Sequence, residues 1–328
     1  MRFRGVVRKG YRTTKGDRLA MVGRKNHKKD YATAQLLNFA QDSYLERTSR
    51  PVYAIVFLLP FIIFYELGTI LINTSILNQV QVRVVAFVWL QNLLRYLGTG
   101  WRFAWIAPPM MVVIILVGLQ IASKKPWYFC LGDYTPMVCE CVCLAVPLIL
   151  LSLLLNSSPA NPDPVAQFDH AVAHITVCST GQTGDPPGGA GGARATALTV
   201  GGVPRRSLMA DIVTGVGAGI YEELIFRLIL ICVLMVLFQD LIGLGHQNAV
   251  VLSVMISAGL FSAHHHIVWV DGQLGRSAPF HWAEFGFRTI AGVYFAILFA
   301  IRGFGITAGT HAFYDIIATV MNALFFTR

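Results

Sequence analysis

Glu222, Glu223 and Arg227 stand in the middle of an otherwise apolar run, residues 208–238. A charge held at bilayer depth costs at least ~2.5–3.5 kcal/mol on insertion scales. Three ionisable groups so close together therefore mark either a functional site or a buried ion network between helices. Helix geometry sorts them. Glu223 and Arg227 are four apart, share a face and can pair, whereas Glu222 is turned about 100° away and falls outside that pair. Two more clusters follow on later apolar runs, Phe261-Ser262-Ala263-His264-His265 and His311-Ala312-Phe313-Tyr314-Asp315. Phe261 and His265 share one helix face, as do His311 and Asp315. A lone histidine in an apolar helix is more often a hydrogen-bonded structural group. Histidines on two helices with a carboxylate on a third suggest a convergent polar centre. A carboxylate can take a proton from water and an imidazole can share or return it. The remaining polar groups would supply donors where an oxyanion develops. The expected chemistry is hydrolysis by activated water without a covalent nucleophile, although the same residues could also ligate zinc.

The elements that must position these groups are apolar helices. Of 328 residues, 55% are hydrophobic and 13% charged, against about 25% charged in soluble domains. The expected fold is all-α, a polytopic transmembrane helical bundle of seven or eight spans. The net charge of +9 lies wholly in residues 1–50, which read as a basic cytoplasmic tail with a short helix near Tyr31–Leu45. The tail lacks the aromatic and basic interleaving of a nucleic-acid module. Residues 51–155 read as N-terminal transmembrane helices, with spans near Val52–Ile72, Phe103–Ala122 and Met137–Leu155. Glu66 is a lone carboxylate in the first of these, expected near an interface. Residues 79–98 fit either an interfacial helix or an eighth span. Residues 156–207, rich in Gly and Pro, read as an extramembrane insertion, in which His170 and His174 suggest a solvated pair. Residues 208–328 then hold the three chemical clusters, with further spans at Ala249–His266, Phe287–Arg302 and Phe304–Phe326. The six cysteines show no C-x2-C spacing and read as small buried hydrophobes.

The order EExxxR, FxxxH and HxxxN/D, preceded by Gly215-Val216-Gly217-Ala218-Gly219, resembles the CPBP (ABI) family of intramembrane proteases, whose members include the type II CAAX prenyl endopeptidases. The likeness covers about residues 208–326. It implies a glutamate-type protease in a water-filled cavity within the bilayer. Glu222 and His265 would activate the water, His311 and Asp315 would position the substrate carbonyl or its oxyanion, and Glu223, Arg227 and Phe261 would support them. The prenyl-endopeptidase relatives tend to carry Asn where this chain has Asp315. An ionised Asp would repel an oxyanion, so Asp315 is expected to be protonated or paired with His311 or Arg227. No H-E-x-x-H zinc motif, serine G-x-S-G motif or Gly-x-Gly-Asp half-site occurs. The expected activity is cleavage of peptide or protein substrates at the membrane, with the lipid bilayer as the other partner, no nucleic acid and no cofactor. The alternatives are a zinc-dependent membrane protease using the same residues, a non-catalytic immunity or scaffold protein, and, more remotely, a proton-relaying transporter.

Overall fold

The computed structural model describes residues 40, 42–75, 80–98, 106–156, 175–179, 208–270, 273–276 and 280–325. His170, His174 and residues 1–39 of the basic tail lie outside that set. A short helix α1 (Tyr44–Thr48), capped by the Ser43 hydroxyl, leads into α2 (Pro51–Ser75). Helices α3 (Val85–Tyr96), α4 (Ala107–Ser123) and α5 (Tyr134–Asn156) follow. After them come α6 (Leu208–Leu241) and α7 (His246–His264). Pro108 and Pro109 open α4, where a missing N–H costs nothing, and left-handed Lys124 closes it ahead of Pro126.

The last helical stretch, Trp282–Phe325, is broken at Gly303, whose φ of 75° and ψ of −179° only glycine adopts readily. We name residues 282–302 α8 and residues 304–325 α9. The break reverses the chain. The rings of Phe295 and His311, eight residues either side of Gly303, stack with centroids 4.6 Å apart. A straight helix would hold them about 24 Å apart. Among the described residues five helices are long and apolar enough to cross a membrane, α2, α5, α6, α7 and the broken α8–α9 stretch, and α4 is a shorter apolar helix. The twelve residues of α3 reach only about 18 Å and are too short to cross. The fold is that of an all-α integral membrane protein. Its outer surface agrees, since Leu71, Leu154 and Ile114 are each more than 60% exposed. That apolar coat suits lipid and not water.

Two short antiparallel ribbons interrupt the helical pattern. In one, β1 (Val80–Val84) pairs with β2 (Ile175–Ser179), with Val82 opposite Val177. The other is the hairpin β3 (Ile267–Val270) and β4 (Gln273–Arg276), directly after the histidine run. Residues 79–98 are therefore neither an interfacial helix throughout nor a span, but a strand and then a helix. Part of the 156–207 insertion is a strand that pairs with them.

The central helix is α9. Glycines let its neighbours approach: Gly305 lies against Ala54 of α2, and Gly309 against Phe57 of α2 and Cys141 of α5. Cys141 is buried, whereas Cys139, Cys143 and Cys232 face outward. The cysteines are thus small apolar groups, but not all of them are core.

At the N-terminal end of α2 the helices are tied by ion pairs. Arg302 meets Glu140 through two bonds and also donates to Thr48 Oγ1 and the Leu45 carbonyl, both at 2.8 Å. Tyr44 donates to Glu140 at 2.8 Å. Arg47 holds Asp133 through bonds of 3.1 and 3.0 Å. Glu46 takes Arg50 and Lys125. These contacts gather the starts of α2 and α5 and the ends of α4 and α8 at one membrane face.

Candidate active site

The glycine run before the two glutamates is a packing device. Gly215, Gly219 and Glu223 follow at intervals of four on one face of α6. A Cβ on Gly219 would come within 2.5 Å of the Ala312 backbone nitrogen, and one on Gly215 within 2.8 Å of Asp315 Cβ. Only hydrogen at these positions lets α6 lie backbone to backbone on α9. Gly217, on the other side, makes room for the Tyr65 ring of α2. This contact delivers Glu223 to His311, whose Nδ1 lies 2.7 Å from Glu223 Oε1.

Glu223 lies between two basic groups, Arg227 and His311. Its Oε2 lies 3.1 Å from Arg227 Nε, and both side chains are wholly buried. Arg227 sits in a π-helical stretch of α6, Leu224–Leu230; such stretches recur at functional sites. Its guanidinium stacks 4.1 Å above the Phe261 ring and donates to the Gly292 carbonyl at 3.4 Å. Gly292 of α8 itself packs on Ala258 of α7. His311 is clamped between Glu223 and the stacked Phe295 ring. Its Nε2 lies 3.7 Å from Asp315 Oδ2. Asp315 thus faces His311 beyond direct hydrogen-bond range, while Arg227 is taken by Glu223.

Glu222 differs. It is 1% exposed, and its Oε1 makes no hydrogen bond among the described residues. The imidazole facing it is His264, with Nε2 3.7 Å from Oε1, beyond direct hydrogen-bond range. The spacing from Phe261 selects His265, but α7 ends at His264 and His265 already lies in the turn that follows. His265 is one step removed. Its Nδ1 lies 2.7 Å from His264 Nδ1, and both Nδ1 atoms lie 2.9 Å from the Phe261 carbonyl oxygen. His266 packs on Phe280 and Phe285. Glu222 faces α7 at His264 and the adjacent Glu223 meets α9 at His311, so α6, α7 and α9 come together here.

Several neighbours carried no local sequence signal. Trp89 of α3 sets its edge against His264 at 5.4 Å. Phe295 stacks on His311. Glu66 is not a bystander at an interface, since it accepts a hydrogen bond from Tyr221, the residue before Glu222, at 3.1 Å. A tyrosine next to the double glutamate was the one available hint. Among the described residues no group of three or more His, Cys, Asp or Glu side chains is arranged to hold a metal ion.

Apolar helices enclosing two glutamates and the histidines that face them define a membrane protein with a buried polar centre. Residues 204–317, about a third of the chain, match the family model described as type II CAAX prenyl endopeptidase Rce1-like. The match covers all seven residues of the three clusters, so this stretch of the chain is similar to that family. No curated protein and no solved structure matches it.

Proposed function

We propose that this protein is an intramembrane endopeptidase that cleaves membrane-associated peptide or protein substrates, prenylated ones among them, with water activated by Glu222 and histidine. The observation that carries this reading is the dry, hydrogen-bond-poor Glu222 Oε1 facing His264 Nε2 across 3.7 Å. A water seated to one side of that gap would bond to both atoms. Glu222 would take a proton from that water while its oxygen attacks the scissile carbonyl carbon. The His264–His265 pair would share the charge and return a proton to the leaving amine. His311, oriented by Glu223 and Phe295, and Asp315, if it carries a proton, would donate to the oxyanion. Arg227 and Phe261 would hold this frame without touching substrate. The scheme needs no metal. Activity insensitive to chelators, with no metal in the purified protein, would support that.

On this reading residues 208–328 are the catalytic helices and 51–155 the helices that wrap them. The basic residues 1–50 place the N-terminus on the cytoplasmic side. The test is turnover of a farnesylated fluorogenic peptide by purified protein in lipid nanodiscs. Glu222→Ala should lose on the order of 10²–10⁴ in rate, the usual worth of a general base, while expressing normally. Unchanged turnover by that variant would overturn the proposal. A cellular phenotype that survives Glu222→Gln would instead favour a non-catalytic scaffold.

A further inference from the structure

The scheme above gives no task to Ser257 of α7. Its side chain is buried, and its hydroxyl donates to the Phe226 carbonyl of α6 at 2.6 Å. Other buried hydroxyls in the bundle bond within their own helix. Those of Thr69, Thr214 and Thr307 donate to the carbonyl four residues back, at 2.7, 2.9 and 2.9 Å. Such back-bonding is the ordinary outcome for a hydroxyl in an apolar helix. Ser257 instead reaches across to a neighbouring helix, and its acceptor lies inside the π-helical turn Leu224–Leu230.

Phe226 is one turn on from Glu222, so the two share a face of α6. Both meet His264. The Phe226 ring and the imidazole have centroids 4.9 Å apart, and Glu222 Oε1 lies 3.7 Å from His264 Nε2. Across the seam, Ser257, Phe261 and His264 recur at intervals of four and three and share the face of α7 turned to α6. The Phe226 ring also sets its edge against Phe261 at 5.5 Å. A turn bonded to the fifth residue instead of the fourth is rare, so this one needs holding from outside. Arg227 ties it through a side chain, stacked on Phe261. Ser257 ties it through the main chain, one turn from Glu222.

We propose that Ser257 is a positioning residue: by pinning the Phe226 main chain it holds the π-helical turn of α6 and sets the height of Glu222 against His264. The inference rests on the proposed hydrolytic role of that pair and names the group that fixes their separation. A hydrogen bond shielded from water is strong, and no solvent replaces it when it is lost. Without it α6 is free to slide on α7, and a misplacement of about 1 Å at a reacting group costs on the order of 10²-fold in rate.

Ser253 supplies the control. It is also buried, one turn earlier on the same face of α7, but its hydroxyl makes no hydrogen bond among the described residues. Ser257→Ala and Ser253→Ala thus remove the same atom from the same helix, and only one of them removes a bond. In the farnesylated-peptide assay Ser257→Ala should lower kcat by about 10–100-fold and change KM by less than about twofold. Ser257→Thr keeps the hydroxyl and should recover most of that loss, and Ser253→Ala should match the wild type. A second readout does not depend on turnover. In protein carrying nitrogen-15 histidine, the ring signals of His264, assigned with His264→Gln, should move in Ser257→Ala and stay in place in Ser253→Ala. Equal losses of kcat in the two alanine variants would overturn the proposal, as would a Ser257→Ala loss carried by KM or His264 signals that Ser257→Ala leaves unmoved. If Ser257→Ala does not fold, Ser257→Cys, a weaker donor, takes its place in both measurements. A wild type that cleaves no peptide would count against the endopeptidase reading, and the His264 signals would still decide whether Ser257 holds the turn.

Discussion

The ion-pair belt at the start of α2 and the centre around Glu222 use the same residue types to opposite ends. In the belt, Arg47, Arg50 and Arg302 each meet a carboxylate within hydrogen-bond range, and partly exposed groups such as Glu140 and Glu46 keep some contact with their surroundings. In the centre the charges are drier and are met unequally: Glu223 lies 2.7 Å from His311 and 3.1 Å from Arg227, whereas Glu222 faces His264 across 3.7 Å. The belt spends its polar groups on joining helix ends. The centre divides the labour between two adjacent glutamates, one closely paired and one set apart. A buried group left short of partners is costly, and such a cost is kept where a substrate or water supplies what is missing.

The comparison makes its sharpest claim inside the centre, where the two glutamates should fail differently. Glu222→Gln should lose cleavage by about 10²–10⁴-fold yet keep or raise its melting temperature, since it removes a desolvated carboxylate. Arg227→Met should lower stability by about 3–5 kcal/mol by stranding the Glu223 charge. Thermal unfolding in detergent and peptide turnover, measured on both variants, separate the two. If Glu222→Gln destabilises as much as Arg227→Met, the glutamates share one structural role and the contrast fails.

The packing that creates the contrast is open to the same kind of test. Gly219→Ala places a methyl against the Ala312 backbone. It should push α6 from α9, lower the melting temperature and cost at least about 1–3 kcal/mol, as overpacking does. Gly118→Ala, with nothing within 4 Å of the added carbon, should be neutral or slightly stabilising in the same assay. In the belt, Arg302→Met should cost about 1.5–3 kcal/mol for its lost charged hydrogen bonds and leave KM unchanged.

Much of this was written in the chain. Runs of about twenty apolar residues announced the passes, and i,i+4 spacing paired Glu223 with Arg227 and His311 with Asp315. The choice between Glu222 and Glu223 followed from a rotation of 100° per residue. The histidine opposite Glu222 did not follow, because the spacing rule assumes that the helix continues, and α7 stops at His264. The π-helical turn of α6 was hidden for a related reason: Leu224–Leu230 is apolar at either pitch. The strand β1 is only half legible. Val80-Gln81-Val82-Arg83-Val84 alternates with period two, but its partner lies some ninety residues away inside a Gly- and Pro-rich segment.

The smallest effect expected is in the belt's response to acid. Glu46 lies outside the passes. Burial would raise its carboxyl, but hydrogen bonds from Arg50 and Lys125 outweigh that and hold it below its ordinary value of 4.5. A carboxyl whose folded value is depressed contributes stability above its unfolded value and loses it as the pH falls through the folded one. The melting temperature should therefore decline below about pH 4.5, and Glu46→Gln should flatten that decline while lowering stability at pH 7 by less than about 1 kcal/mol. Glu222→Gln should leave this acid limb unchanged. An acid limb that Glu222→Gln abolishes and Glu46→Gln leaves intact would mean that the centre, not the belt, sets the protein's tolerance of low pH.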